Sequence, residues 1–234
     1  MCVKRIGRVL SVITPECHLL TTSNIAVGDI DGDGRAEIVG HSREDQNRVI
    51  AIDDDGSLSW RSEPVWQVFD PIEFGGGCAS LADLDGDGTT EVVWGNVVLR
   101  GADGSAWGMP APAGRFGSPG AYAPGAVSVV ADVAGDSRME VIGGPTCYAW
   151  EADGIRRIVW DQPAVPDGFP AVGELDGDAT PEVVIVALGR VYLLDAEDGA
   201  VHWSVPMPSD GRCSPPAAGG APVIADLDGD CIAE

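Results

Sequence analysis

Basic residues are scarce in this 234-residue chain, with 14 lysines and arginines against 37 aspartates and glutamates, a formal net charge of −23 at pH 7. Such an acidic surface repels nucleic acid and anionic membranes, so both are excluded as partners. Cation binding is the function that this charge favours. Hydrophobic residues make up 44% of the chain, enough for the core of one large all-β domain or two smaller ones.

Long apolar runs are missing as well. No segment approaches the ~20 apolar residues of a transmembrane helix, and the N-terminal stretch MCVKRIGRVLSVITPE lacks the apolar centre of a signal peptide. The six cysteines form no CxxC pair of the kind that binds zinc. They are expected to be either buried thiols or members of a few disulfide bridges.

Histidine is the third scarcity. The three histidines, His18, His41 and His202, lie in no hydrolase, zincin or kinase motif. The glycine run FGGGC precedes a strand-like segment and opens no helix, so a phosphate-binding loop is not expected. An enzyme is therefore the second hypothesis, and a binding module the first.

An acidic nine-residue pattern, D-x-D-G-D-G-x-x-E, is abundant in contrast. It occurs in complete or altered form at residues 29–37, 83–91, 132–140, 174–182 and 226–234, with starting points 54, 49, 42 and 52 residues apart. A single such segment is explained equally well as an exposed Asp-Gly turn. Five in register indicate a repeat with the period of a propeller blade.

The residues between the loops predict strands. Short β-branched runs enter and leave each loop, and two further runs flank an Asp-Gly turn, as in RVIAIDDDGSLSW. Four strands per unit predict an all-β fold, a β-propeller of four-stranded blades over residues 1–234. About four and a half blades are expected, as in a fragment of a larger ring. An EF-hand is excluded because it needs flanking helices and a glutamate at position 12, where Gly40 and Trp94 stand.

The loops also predict metal sites. Side chains at positions 1, 3, 5 and 9 and a main-chain carbonyl at position 7 can converge on one cation, and hard oxygen donors without His or Cys favour Ca²⁺ over Zn²⁺, Cu²⁺ or Mg²⁺. Four to five Ca²⁺ sites are expected. The predicted ligands are Asp29, Asp31, Asp33, Arg35 and Glu37; Asp83, Asp85, Asp87, Thr89 and Glu91; Asp132, Asp136 and Glu140; Glu174, Asp176, Asp178 and Glu182; and Asp226, Asp228, Asp230 and Glu234.

The loops differ in completeness. The first two have every acidic residue and both glycines, so they are expected to bind most tightly. The third has Ala134 at position 3 and Ser137 at position 6, and it is expected to bind most weakly.

Together the loops resemble the FG-GAP and VCBS-type repeats, which are related to the propeller head of integrin alpha chains. Phe74-Gly75 before a loop and EVIGGP after one (residues 140–145) are similar to further pieces of that repeat. The resemblance implies a calcium-stabilised propeller, commonly of seven blades, with the metal in the hairpin between the first two strands of each blade. It also implies a secreted or cell-surface protein that acts in adhesion or carbohydrate binding.

The partners implied by this resemblance are a glycan or protein ligand and the remaining blades, from the same protein or another chain, without membrane insertion. The alternative is the propeller domain of a polysaccharide lyase or hydrolase, since some related propellers have such activity.

A second resemblance concerns tryptophan. LLDAEDGAVHW, residues 193–203, is similar to the tryptophan-docking repeat of quinoprotein propellers. We therefore predict that four tryptophans pack between blades: Trp60, Trp107, Trp160 and Trp203. The sequence does not decide whether the other three tryptophans belong to the core or stack on sugars: Trp66, Trp94 and Trp150.

Overall fold

Short β-branched runs separated by glycine turns can satisfy their main-chain groups only by pairing with one another, and the computed structural model is accordingly built of strands. The structure describes residues 19, 24–42, 48–65, 77–95, 97–107, 127–151, 154, 156–178, 180–208, 220–229 and 233. In this part of the chain no helix is long and apolar enough to cross a membrane.

Fifteen strands form within the described residues. They are β1 (Ala26–Gly28), β2 (Glu37–His41), β3 (Val49–Ile52), β4 (Leu58–Arg61), β5 (Ala79–Ala82), β6 (Glu91–Trp94), β7 (Val97–Arg100), β8 (Ser128–Ala131), β9 (Glu140–Gly143), β10 (Thr146–Trp150), β11 (Arg156–Asp161), β12 (Phe169–Gly173), β13 (Glu182–Ala187), β14 (Arg190–Asp195) and β15 (Val201–Pro206). Antiparallel pairing groups them into β1–β4, β5–β7, β8–β11 and β12–β15, here called blades 1 to 4.

The predicted four-stranded unit is confirmed in blades 1, 3 and 4. The described part of blade 2 has three strands, and Ala106 makes a single antiparallel bridge to Leu99 where a fourth strand would run. The Asp-Gly hairpins are confirmed too, because their glycines have positive φ: Gly56 (89°), Gly104 (69°), Gly154 (80°) and Gly199 (73°). The apolar run GRVLSVI, residues 7–13, lies outside the described residues.

One predicted strand is wrong. The run APVIAD, residues 221–226, has no strand in the structure, although Ile224 packs against Gly173 at the end of β12. In blades 1 to 4 the first strand forms a ladder with the second strand of its own blade, such as β1 with β2. No second strand follows residue 226 within the described residues, so this run lacks the ladder partner that defines a strand.

The first strands of successive blades lie side by side, β1 beside β5, β5 beside β8 and β8 beside β12. The contact is close: the Ser80 hydroxyl donates to the carbonyl of Ser128 at 3.0 Å, and a Cβ on Gly28 would come within 2.8 Å of Leu81. Among the described strands no comparable packing joins β1 to β12. The four blades therefore form an open row.

The hydrophobic core lies between blades because alternate residues of a strand face opposite neighbours. Val39, Val49 and Ala51 of blade 1 pack against Val92 and Leu99 of blade 2. The other two interfaces have the same design, with Val93, Val98, Val141 and Tyr148 between blades 2 and 3 and Ile142, Cys147, Val183 and Ile185 between blades 3 and 4. Cys147 is a free buried thiol, Cys78 is free and half-buried, and the other four cysteines lie outside the described residues.

The predicted packing of tryptophans between blades is confirmed for Trp60, Trp107 and Trp160, which are 7%, 3% and 7% exposed. Trp203 is 46% exposed, so the prediction fails there, because no further blade covers it in the described structure. Trp94 and Trp150 are buried between blades and belong to the core. Their indole rings are therefore not accessible for stacking on a sugar. Trp66 lies outside the described residues.

One turn carries local strain that a substitution can test. Leu188 and Gly189 join β13 to β14 with φ of 47° and 74°, and Leu188 is 54% exposed. A side chain with a Cβ costs about 1 to 2 kcal/mol in this conformation, whereas Asn tolerates it. We expect Leu188→Asn to raise the free energy of unfolding by about 1 kcal/mol in urea titrations. Leu188→Ala is the control: it keeps the strain, and an equal gain from it would contradict this explanation.

Candidate metal-binding loops

The acidic loops connect the first and second strands of each blade, so the repeated topology places them at the same end of every blade. The glycine at position 4 has positive φ in all five loops: Gly32 (80°), Gly86 (77°), Gly135 (68°), Gly177 (83°) and Gly229 (85°). Glycine is required there because the chain reverses sharply in a conformation that other residues rarely adopt. Ser137 takes the same kind of conformation, with φ of 68°, at the position held by Gly34 in the first loop.

The glutamate at position 9 has a structural role that the sequence analysis missed. It is 1% to 2% exposed in the four described copies, and its Oε2 accepts the main-chain N–H of the residue at position 2. The four bonds join Ile30 to Glu37 at 2.9 Å, Leu84 to Glu91 at 3.0 Å, Val133 to Glu140 at 3.0 Å and Leu175 to Glu182 at 2.7 Å. One carboxylate oxygen of the glutamate thus closes each of these loops.

Position 2 anchors the first three loops in the core, whereas Leu175 of the fourth loop is half-buried and Leu227 of the fifth is 79% exposed. Ile30, Leu84 and Val133 are 1% to 5% exposed and belong to the packing between blades. The first loop also touches the next blade: a Cβ on Gly101 would lie 2.3 Å from the carbonyl oxygen of Ile30. The constant apolar residue at position 2 was the available sequence signal for this anchoring. Loop conformation and contact between blades are therefore coupled.

The loop's own N–H groups hold the aspartates in place. The two oxygens of Asp29 accept from Gly32 at 2.8 Å and from Gly34 at 2.9 Å, and Asp83 repeats both bonds with Gly86 and Gly88 at 2.8 Å each. Each carboxylate oxygen has a second lone pair, so these bonds fix the side chain without preventing metal coordination. The loops are thereby preorganised for a cation.

Three loops bring carboxylate oxygens within 4.8 Å of one another. The groups are Asp29, Asp31 and Asp33; Asp83, Asp85 and Glu91; and Glu174, Asp176, Asp178 and Glu182. The fourth loop thus gathers all four of its predicted ligands. Among the described residues the third loop gathers no such group, in line with its missing carboxylate at position 3.

Some predicted ligands lie apart from these groups. Glu37 is outside the first group, and Asp87 is outside the second. Asp87 accepts the N–H and hydroxyl of Thr89, which lowers the pKa of Asp87. In the fifth loop Asp226 accepts from Gly229 at 2.6 Å, while Asp230 and Glu234 lie outside the described residues. The carbonyls of Arg35 and Thr89 stay predicted ligands. The Arg35 side chain forms an exposed ion pair with Asp54 at 3.1 Å.

In this arrangement the charged form of the buried glutamates is disfavoured. Burial raises the pKa of the carboxyl groups of Glu37, Glu91, Glu140 and Glu182 above the usual 4.5, against the lowering effect of their main-chain hydrogen bonds, and the loop aspartates raise it further. Glu37 Oε1 and Glu174 Oε2 are buried and accept no hydrogen bond. Because buried carboxylate oxygens are almost always paired, a cation is the partner that fits these loops.

These pKa shifts predict how the metal-free protein responds to pH. Above the usual glutamate pKa of 4.5 the folded state binds more protons than the unfolded state, so stability falls as the pH rises toward the raised pKa values. We expect the melting temperature of the protein, stripped of metal beforehand and kept in calcium-free buffer, to be lower at about pH 7 than at about pH 5. Glu140→Gln keeps an acceptor for Val133 without the titration, and it should reduce the slope. A melting temperature that rises over this range would contradict the prediction.

The fold and the loops define the class of protein: a β-propeller-type repeat protein with an acidic loop in each blade. Residues 29–94 match the model of the FG-GAP-like repeat, which covers blade 1 from its loop onward and the first two strands of blade 2 with the loop between them. This part of the chain is thus similar to an FG-GAP-like repeat. A search of curated proteins gives no sequence match.

Similar solved structures agree with this fold. The V. cholerae biofilm matrix protein Bap1 matches 78% of the chain with 25% identity and a TM-score of 0.54. Rhamnogalacturonan lyase YesW matches 78% of the chain with 18% identity and a TM-score of 0.51, which shows a common fold alone. The chain spans 28% of the Bap1 chain and 42% of the YesW chain.

Proposed function

We propose that the chain is a calcium-binding β-propeller scaffold in which the acidic loops hold Ca²⁺ and the blades present a surface for adhesion or ligand recognition. The observation that carries the proposal is the recurrence of one acidic arrangement at one place in the fold, with carboxylate oxygens converging in three loops. Independent surface turns would not share the buried glutamate bond and the anchored position 2.

Calcium suits the donors better than other common cations. All of them are carboxylate or carbonyl oxygens on a short flexible loop, and Ca²⁺ accepts six to eight such ligands with variable geometry. Mg²⁺ demands a regular octahedron and gives up its waters reluctantly, while Zn²⁺ prefers His and Cys. The residues that would hold the ion are Asp29, Asp31 and Asp33; Asp83, Asp85 and Glu91; and Glu174, Asp176, Asp178 and Glu182.

The proposed role of the ion is to stabilise the fold. Three Ca²⁺ ions would offset six of the 23 net negative charges and remove the repulsion among carboxylates in each loop. Ile30 joins the first loop to the interface between blades 1 and 2, so a fixed loop also fixes that interface. The ion has no chemical step to perform in this proposal.

We also propose a role in recognition outside the cell, which one of the comparisons supports. Bap1 is a biofilm matrix protein, and by analogy we propose that this chain is secreted or displayed at the cell surface and binds a glycan or a protein. Binding to a glycan array in the presence of Ca²⁺ and its loss in EGTA is the expected result. Equal binding in both buffers would contradict a calcium-dependent recognition surface.

The enzyme alternative is tested separately. YesW is a rhamnogalacturonan lyase, but a likeness at 18% identity carries fold information only. We expect no release of unsaturated sugars when the chain is incubated with rhamnogalacturonan and Ca²⁺. Their release in proportion to protein concentration would overturn the scaffold proposal in favour of a lyase domain.

A further inference from the structure

One glycine lies between the first two acidic loops. A Cβ on Gly101 would lie 2.2 Å from the carbonyl oxygen of Thr90 in the second loop and 2.3 Å from that of Ile30 in the first loop. Gly101 follows β7 and its φ is not positive, so close contact rather than backbone conformation excludes a side chain there. A shift of either carbonyl toward Gly101 is therefore passed to the other loop.

Both carbonyls belong to residues beside candidate ligands. Ile30 follows Asp29, and its N–H donates to Glu37 Oε2 at 2.9 Å. Thr90 precedes Glu91, whose Oε2 accepts the N–H of position 2 in its own loop at 3.0 Å. Glu37 Oε1 is buried and accepts no hydrogen bond, and a cation in the first loop is the partner that fits it. Gly101 thus contacts the ligand-bearing part of both loops.

Blade 1 also holds Gly101 in place. Trp60 Nε1 donates to the carbonyl of Gly101 at 2.6 Å, and a Cβ on Gly104 would lie 2.3 Å from the same indole ring. Trp60 is buried, so water does not compete for this bond. The position of Gly101 is therefore set jointly by the two loops and by the indole of blade 1.

The boundary between blades 3 and 4 has a similar arrangement. Trp160 Nε1 donates to the carbonyl of Ala196 at 2.8 Å, and the N–H of Ala196 donates to Pro181, at position 8 of the fourth loop, at 3.3 Å. Val133 of the third loop packs in the same cluster. The third loop, however, brings together no group of carboxylates in the part of the chain that the structure describes. The first and second loops, in contrast, have such a contact with a candidate site on both sides of it.

We propose that Ca²⁺ binding in the first loop and in the second loop is positively coupled through Gly101. The inference rests on the proposed calcium function and adds that two of the sites act as a pair. When the first loop is fixed by an ion, Ile30 holds Gly101 where the second loop needs it, so the second loop loses less conformational freedom on binding. The coupling is reciprocal by linkage. The fourth loop, whose neighbour gathers no carboxylates among the described residues, binds independently.

The test compares three forms of the metal-stripped 234-residue chain in about 0.15 M salt, which screens the charges of one loop from those of the other. All three carry Asp176→Asn and Asp178→Asn, which disable the fourth loop. The first form has no other change, the second adds Asp29→Asn with Asp31→Asn, and the third adds Asp83→Asn with Asp85→Asn. Calorimetric titration with Ca²⁺ gives the association constants of the remaining sites.

The expected result is a coupling factor of about five or more. This factor is the overall association constant for two ions in the first form divided by the product of the single-site constants of the other two forms. Each site should accordingly bind about fivefold more weakly when the other loop is disabled than when it is occupied. A factor of about one, with two ions still bound, would overturn the coupling and leave the proposed calcium function standing. Absence of saturable binding in the first form would overturn both.

Two matched variants, each made in all three forms, test the route through Gly101. Trp60→Phe keeps an aromatic ring but removes the N–H bond to the carbonyl of Gly101, and it should lower the coupling factor to about one. Trp160→Phe removes the corresponding bond to Ala196 and should leave the factor unchanged, although it costs similar stability. An equal coupling factor in both variants, whether retained or lost, would overturn the proposal.

Discussion

Removal of calcium with excess EGTA is expected to lower the melting temperature of the chain by roughly 10 °C. A site with a dissociation constant of about 0.1 mM contributes about 1.4 kcal/mol at about 1 mM Ca²⁺, and three such sites contribute about 4 kcal/mol. That is a large share of the stability of an ordinary domain. The loss follows from renewed repulsion among the loop carboxylates and from the coupling of the first two loops to the core through Ile30 and Leu84.

Loop variants separate specific sites from a general charge effect. Asp176→Asn with Asp178→Asn removes two members of the group in the fourth loop, whereas Asp136→Asn removes a carboxylate from the third loop, which gathers no group. The first variant should lose about a third of the calcium-dependent shift, and the second should keep it. Equal shifts in both variants would mean that Ca²⁺ acts on net charge alone. Mg²⁺ at the same concentration should restore little of the shift.

Truncation of the tryptophans should show that side-chain packing between blades stabilises the fold. Trp60→Ala and Trp160→Ala are expected to lower the free energy of unfolding by about 3 to 5 kcal/mol, because each removes a buried indole and leaves a cavity against the next hairpin. Trp203→Ala removes the same atoms from an exposed position and should cost less than about 1 kcal/mol. Denaturant titrations of the three variants provide the comparison.

The glycines under the indoles give an independent check on these interfaces. At Gly104 a Cβ would lie 2.3 Å from Trp60, so Gly104→Ala should destabilise the interface between blades 1 and 2. Gly135 has almost the same φ, 68° against 69°, but a Cβ there would meet no atom within 4 Å, so Gly135→Ala is the control that carries the backbone strain alone. Similar losses from both substitutions would contradict packing between blades as the source of stability.

Much of the fold could be predicted because it depends on local chemistry. Asp-Gly between apolar runs requires positive φ, and Gly104 and Gly199 have it. The 50-residue period similarly fixed the order of strands in each blade. The fifth unit could not be predicted in this way: its first run has the composition of a strand, but pairing depends on a partner that composition does not reveal.

The position of the candidate site could be predicted, but its hydrogen bonds could not. The spacing identified the acidic residues, but not which carboxylate oxygens accept hydrogen bonds from main-chain N–H groups. Glu37 accepts the N–H of Ile30, and Asp87 accepts the N–H of Thr89, because the N–H groups of a tight loop have no strand partner and bond to nearby carboxylates. The fourth loop was ranked below the first two because Ala179 replaces the glycine at position 6, yet all four of its carboxylates converge.

Calorimetric titration of the metal-stripped 234-residue chain with Ca²⁺ tests the central claim most directly. The account predicts saturable binding of about three ions with dissociation constants of ~10⁻⁴ to 10⁻³ M, and one ion fewer when Asp29 and Asp31 are both replaced by Asn. Absence of saturable binding up to several times ~1 mM Ca²⁺, together with a melting temperature unaffected by EGTA, would contradict it.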